Sequence, residues 1–300
     1  MVDGFAAHRG QSYVIKLGGE IMQHAAALDA LAADVVALTQ GGVRVALVHG
    51  GGPQADALAA QLGHTVRKVA GRRVTDDDAL AVAKWVYGGS INVELLGALK
   101  RHGGRAVGLS GVDGDLITVQ RRPLVTVRAA DGSAEQVDFG HVGDVTAVDG
   151  ALIETLWAGC YIPVVASLAA DPGGAIYNVN ADTIATALAV ALAATGLLLL
   201  TNVPGILRDR TDSASLVTQA DAATIQALIA DGTIAGGMLP KVQNALDALT
   251  AGVAQVQILD GTQSHCLRDS FLHAGLGTTI HPTDLTPLTP FLQRKREFTK

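Results

Sequence analysis

The chain has 300 residues, of which 49% are hydrophobic and 17% charged, a balance that excludes the polar composition of disordered proteins and allows a large core. Lys and Arg number 22 against 28 Asp and Glu, a net charge of −6, and the one basic tract, Arg294-Lys295-Arg296, is short; no nucleic-acid partner is expected. Two cysteines, Cys160 and Cys266, exclude a disulfide framework, and the first dozen residues lack the apolar stretch of a secretory signal, so a reducing, cytoplasmic setting is expected.

Short Val, Ile and Leu runs alternate with longer Ala and Leu patterns of helical spacing, a rhythm that predicts α/β architecture with a mainly parallel sheet. In chain order the pattern predicts a strand over 13–17, a helix over 28–40, a strand over 43–48 and a helix over 53–62 opening on Pro53. Helices come next over 76–85 and 91–100, then a strand over 106–109. From 116 to 137 the alternation changes to short antiparallel hairpins, an excursion suited to covering a substrate. Helix over 151–158 and strand over 161–165 lead to Asp171-Pro172-Gly173-Gly174, the clearest turn cluster and the expected lobe boundary. This divides the chain into an N-terminal lobe, 1–175, and a C-terminal lobe, 176–300. The second contains helices over 182–194, 221–231, 239–251 and 266–274 and strands over 197–200, 255–259 and 278–280. The tail, 282–300, reads as loop or a loosely attached helix. The uncharged stretch 183–207 is long enough to span a bilayer, but Thr195-Gly196 divides it into a buried helix and a buried strand, so no membrane partner is expected.

The chemistry concentrates at glycine-rich junctions. In Leu47-Val48-His49-Gly50-Gly51-Gly52-Pro53 an apolar strand meets three glycines and a helix start, which together form an anion cradle of outward amides and a positive dipole end. A plain tight turn needs one glycine and rarely three. Lys16-Leu17-Gly18-Gly19 ends the first strand similarly and adds an ammonium; strand carboxyl ends of open α/β sheets face one ligand crevice. There is no G-x-x-x-x-G-K-[ST] and no G-x-G-x-x-G after the first strand. An esterase oxyanion loop would need a G-x-S-x-G partner, and Gly108-Leu109-Ser110-Gly111-Val112 fails at its last position. His49 reads more readily as a structural hydrogen-bonding residue than as a catalyst. Farther on, Asn180 and Asp182 are a helix cap or, with Asn178, a polar ligand site. Lys241 stands in a helix first turn, where the dipole disfavours a cation and an anionic ligand would explain it; a snorkelling surface lysine is the alternative.

Eight motifs, KLGG from Lys16, VHGGGPQ from Val48, GRRVTD from Gly71, HGGRAVGLSGVDGDL from His102, GHVGDV from Gly140, YNVNADT from Tyr177, TNVPGIL from Thr201 and GGMLPKV from Gly236, stand in order over residues 13–280. In this order they resemble the acetylglutamate kinases of the amino acid kinase family. The resemblance implies a three-layer αβα sandwich of carbamate kinase-like fold with two lobes, acetylglutamate in the first and ATP in the second. It implies phosphorylation of the side-chain carboxylate of N-acetyl-L-glutamate by MgATP, with Mg2+ carried by the nucleotide and no protein-held metal. Such a carboxylate is already ionised, so the barrier is electrostatic and no general base is required. By motif position, Lys16 and Lys241 would flank the transferring phosphoryl group and Asp182 would orient both. Gly19, Gly51 and Gly52 would donate amides to it. Arg73 would grip the substrate α-carboxylate, and Asn178 would add a second contact. Thr201, Asn202, Gly205, Gly236, Gly237 and Met238 would hold the nucleotide. The 116–137 excursion, with His141 and Gly143, would close over the acceptor. Val112 and Asn202 depart from the commonest pattern, lysine and aspartate respectively, away from the phosphoryl clamp. A homodimer little affected by arginine is expected. Two rival readings remain: a kinase of aminoadipate or glutamate carried on a small acidic protein, and a non-catalytic nucleotide or arginine binder.

Overall fold

The computed structural model describes residues 2–69, 71–128 and 134–282. In the N-terminal half, β1 (Ser12–Leu17), α1 (Ala25–Gln40), β2 (Arg44–His49) and α2 (Gly52–Gln61) lead to a two-stranded ribbon of β3 (Lys68–Val69) and β4 (Arg72–Arg73). Next come α3 (Asp77–Ala83), a π-helical segment (Lys84–Ile91), α4 (Asn92–Arg101) and β5 (Ala106–Ser110). The 3-10 turn Val2–His8 precedes β1 and was not expected from the sequence.

The excursion consists of β6 (Ile117–Arg121), β7 (Val125–Arg128), β8 (Ala134–Val137) and β9 (Gly143–Val148); after it the chain forms α5 (Ala151–Ala158), β10 (Ile162–Ala166), β11 (Leu168–Ala170) and β12 (Ile176–Asn178). The C-terminal half carries α6 (Ala181–Ala191), β13 (Gly196–Thr201), β14 (Gln219–Asp221), α7 (Ala222–Ala230), α8 (Met238–Thr250), β15 (Gln255–Asp260), α9 (Cys266–Leu272) and β16 (Thr278–His281).

Eight strands form one sheet in the order β14-β16-β15-β13-β1-β2-β10-β5, parallel throughout except for the β15–β16 pair. Alternate residues of the same strands enter two different cores, as the two-residue strand period requires. Val14, Ala46, Val48, Leu197 and Leu199 join the layer containing α5, α6 and α8, whereas Tyr13, Ile15, Val45, Leu47 and Leu198 join that of α1, α2 and α4. Helices on both faces of a mainly parallel sheet make this a three-layer αβα sandwich. The sheet is continuous across the chain's midpoint, because β1 pairs with β2 on one side and with β13 on the other.

Two expectations are corrected. The segment 116–137 is not a run of consecutive hairpins: β7 and β8 pair with each other, but β6 pairs with β9 and β11, giving a second sheet in the order β12-β11-β6-β9. Asp171-Pro172-Gly173-Gly174 does form a turn, which closes the β11–β12 hairpin. The helices expected over 76–85 and 91–100 are also not separate, because the π-helical segment joins α3 to α4. The stretch 183–207 resolves into α6 and β13, and among the described residues no helix is long and apolar enough to cross a membrane. Residues 283–300 of the expected tail lie outside the described residues.

Candidate active site

The candidate site lies at the C-terminal end of β1, which has β2 on one flank and β13 on the other, the switch point at which open α/β sheets bind ligands. Lys16 is two residues after Val14 in the strand alternation and so points to the α6 side of the sheet. Asn180 caps α6 by accepting the Thr183 amide, leaving Asp182 in the helix's first turn, where the dipole favours an anion. The sequence alone left Asn180 and Asp182 open between cap and ligand; the structure gives the cap to Asn180.

Lys16 Nζ lies 2.9 Å from Asp182 Oδ1, and Lys241 Nζ lies 3.5 Å from Asp182 Oδ2. The three groups, distant in sequence, form one buried cluster with side chains 10%, 11% and 25% exposed for Lys16, Asp182 and Lys241. Burial pushes the Asp182 carboxyl up, but attraction to Lys16 and Lys241 outweighs it and holds the group below the usual carboxylate range. Burial, then repulsion from Lys16, lowers the Lys241 ammonium below the ordinary lysine range against the opposing pull of Asp182. Lys241 is therefore no snorkelling surface group. Two cations drawn to one carboxylate carry a net positive charge at a half-closed site, an arrangement suited to an added anion.

The glycine turns face each other beside this cluster. A Cβ on Gly19 would sit 2.9 Å from Pro53 Cδ and 3.6 Å from Gly51 Cα, and a Cβ on Gly51 would overlap Ile91 and Tyr87. Gly52, in contrast, has no atom within 4 Å of the place a Cβ would take. Gln54 Nε2 donates to Gly19 O at 2.7 Å and ties the first turn to α2, a role its place in the sequence did not signal.

Arg73 Nη2 donates to Gly52 O at 2.9 Å and pairs with Asp56 at 2.5 Å. Both bonds use the same nitrogen, and among the described residues Nε and Nη1 have no acceptor. Lys68 pairs with the same carboxylate at 2.9 Å. Asn178 Nδ2 donates to Thr75 Oγ1 at 3.2 Å, and its amide donates to His141 O at 2.9 Å. The β7–β8 hairpin and the β3–β4 ribbon share a small apolar cluster around Phe139, which sets the excursion beside Arg73.

On the β13 side, Thr201 Oγ1 accepts from the Val203 amide at 3.0 Å and donates to Val203 O at 3.1 Å, so it braces its own loop from within. Asn202 is exposed. Gly205, at φ 144, allows Thr278 Oγ1 to approach and accept the Ile206 amide at 2.8 Å. Gly236, at φ 59, and Gly237, the residue before α8, set the entry of the helix that begins at Met238 and presents Lys241. The sequence-assigned residues thus form four groups: the charged cluster, the facing turns of Gly19, Gly51 and Gly52, the Arg73–Asn178 region and the Thr201–Met238 region.

Residues 11–260 match the model of the amino acid kinase family. The chain belongs to that family. One relative, the acetylglutamate kinase of Geotalea uraniireducens (strain Rf4), is 43% identical over 272 residues, covering 90% of this chain and 92% of the relative. Among solved structures, N-acetylglutamate synthase from Neisseria gonorrhoeae, complexed with coenzyme A and N-acetyl-glutamate, superposes with a TM-score of 0.79 at 28% identity. That match covers 94% of this chain, which spans 62% of the synthase chain. Giardia carbamate kinase, at TM-score 0.65 and 18% identity over 91% of this chain and 99% of its own, shares the fold. The amino acid kinase fold read from the eight motifs is therefore the fold observed.

Proposed function

We propose that this chain transfers the γ-phosphoryl group of MgATP to the side-chain carboxylate of N-acetyl-L-glutamate, a step of arginine biosynthesis in the cytoplasm. The observation that carries the reading is the Lys16–Asp182–Lys241 cluster beside facing glycine turns. Phosphoryl transfer to a carboxylate brings two anions together, so its catalyst must supply positive charge and fixed amide donors, not a base. Lys16 and Lys241 supply the charge, Asp182 holds both ammoniums in place, and the amides of Gly19, Gly51 and Gly52 supply the donors.

Arg73 binds the α-carboxylate of the acceptor through the guanidinium nitrogens that its bonds to Gly52 and Asp56 leave free, with Asn178 as a second contact. The loop from Thr201 through Asn202 to Gly205, together with Gly236, Gly237 and Met238, receives the nucleotide. Mg2+ enters with the ATP phosphates, since the buried carboxylate at the site, Asp182, is already engaged by two ammoniums. In this reading residues 1–175, joined by Asn178, bind the acceptor and the rest of 176–300 the nucleotide, around one shared sheet. A homodimer is part of the proposal, supported by Trp85 and Val93, apolar side chains 58% and 63% exposed along the π-helical segment and α4.

A relative 43% identical and named acetylglutamate kinase favours the free acetylated acceptor over a carrier-linked one. Retention of both lysines and the aspartate favours catalysis over mere binding. An acceptor screen tests the proposal: ATP consumption with acetylglutamate, glutamate, aspartate, carbamate and a carrier-linked glutamate. Consumption confined to acetylglutamate supports it, and preference for any other acceptor overturns it.

A further inference from the structure

His49 ends β2 on the side of the sheet opposite Lys16 and is completely buried. Its Nδ1 lies 2.9 Å from Gly50 O and its Nε2 lies 3.1 Å from Asn92 Nδ2. A carbonyl oxygen only accepts, so Nδ1 must carry the ring proton. Asn92 Nδ2 also donates to Val164 O at 3.1 Å and lies 3.5 Å from Leu109 O, which fixes the amide nitrogen toward the ring, so that Nε2 accepts from it at the shorter of the two remaining distances. Both ends of the ring therefore select the same neutral tautomer. Burial pushes the imidazole down to about 4, against the opposing effect of the bond it donates to Gly50 O, so this tautomer persists at neutral pH.

The carbonyl held by His49 belongs to the Gly50–Gly51 peptide unit. In a trans peptide the N–H points opposite to the C=O, so anchoring Gly50 O in the core turns Gly51 N–H away from it, and the turn that carries Gly19 is a near neighbour, since a Cβ on Gly19 would sit 3.6 Å from Gly51 Cα. Among the described residues that amide has no acceptor. In a run of three glycines the peptide plane could otherwise flip at little steric cost. Asn92, buried at 4% exposure, is the first residue after the π-helical segment. The wider turn of that segment changes the angular register of α4, a common feature near functional sites. Gly108 on β5 completes the fit, because a Cβ there would overlap Asn92 Oδ1.

We infer that His49 is a positioning residue for phosphoryl transfer: its Nδ1–H fixes the Gly50–Gly51 peptide so that Gly51 N–H faces the transferred group, and Asn92 fixes the ring. This rests on the phosphoryl-transfer reading above. It is tested in the full chain with His49→Asn, whose amide nitrogen falls near the position of Nδ1, and His49→Gln, whose nitrogen falls near Nε2. For each, kcat, the KM for acetylglutamate and the ratio of AMP-PNP to ADP affinity are measured, with circular dichroism as the check on folding.

His49→Gln is expected to lower kcat by about tenfold to a hundredfold and to lower the preference for AMP-PNP over ADP, with acetylglutamate KM changed by less than about twofold. His49→Asn is expected to stay within about threefold of the parent kcat. A folded His49→Gln with parental kcat, or equal losses in both variants, would overturn the assignment, the second by showing that ring volume and not the donor matters. If His49→Gln does not fold, His49→Asn decides alone, since a folded variant losing about tenfold contradicts the inference. If the parent protein phosphorylates no acetylglutamate, the functional reading fails, while the affinity ratio still judges the role of His49.

Discussion

Replacing Asp182 with Asn removes the charge on which both ammonium groups converge while keeping the side chain's volume. Each Lys–Asp contact, at 2.9 and 3.5 Å, is an attraction of about 5 to 6 kcal/mol at an effective dielectric constant near 20, set against several kcal/mol of desolvation. Breaking a buried pair by removing one partner costs about 3 to 5 kcal/mol, because the other charge stays buried. Here two ammoniums remain, repelling each other. Asp182→Asn should therefore lower the melting temperature by about 6 to 10 °C, taking about 2 °C per kcal/mol for a chain of this size. Adding Lys241→Met to that variant removes the repulsion and should recover at least half of the loss. Thermal melts of parent, single and double variants at pH 7 and fixed ionic strength, without nucleotide, measure this directly. A single variant within about 1 °C of the parent, or a double variant no more stable than the single, would refute the shared-carboxylate reasoning.

Lys241→Ala should lower kcat by about a hundredfold or more with acetylglutamate binding nearly unchanged, and since burial and Lys16 depress the Lys241 ammonium, parental kcat should fall with rising pH at a value below ordinary lysine titration; steady-state pH profiles check both. Arg73→Lys should mainly raise the KM for acetylglutamate, because one ammonium cannot reproduce a two-point carboxylate grip; a variant with parental KM would remove Arg73 from acceptor binding. Gly51→Ala should cost about 1 to 3 kcal/mol, through overlap with Ile91 and Tyr87, and lose activity as well, whereas Gly52→Ala should keep the parental melting temperature yet weaken ATP use. His49 has its folded-state value depressed from 6.5 to about 4, so its neutral form adds stability that is fully present above pH 6.5 and is lost as pH falls toward 4, about 3 kcal/mol in all. Chemical denaturation from pH 7 to 4.5 should show less of this loss in His49→Asn.

The parallel layers were legible because both faces of each strand are buried: runs such as Leu197 to Leu200 read as continuous apolar segments bounded by Gly and Asn. The π-helical join was not. Gly88 and Gly89, between the two expected helices, carry poor helix propensity, yet tertiary packing of Val86, Tyr87 and Ile91 holds the backbone helical through them. The hairpin excursion failed in pairing for a related reason. Alternation marks a strand but does not name its partner, and β6 finds β9 beyond the β7–β8 hairpin.

Within the site, Lys16 and Lys241 were visible as cations out of place beside glycines. Their meeting on Asp182, 59 residues from Lys241, could be inferred only from motif order. Asn92 and Asp56 gave no signal, since each is a polar residue within a helix whose partner, His49 or Arg73, lies far along the chain.

At the centre of the proposed chemistry, a carboxylate accepts the phosphoryl group. Incubating the protein with MgATP, hydroxylamine and N-acetyl-L-glutamate, with N-acetyl-L-glutamine as the control lacking that carboxylate, measures it most directly. Hydroxamate forming in step with ADP from acetylglutamate alone is the predicted result. ADP release without hydroxamate, or hydroxamate from neither compound, would contradict it.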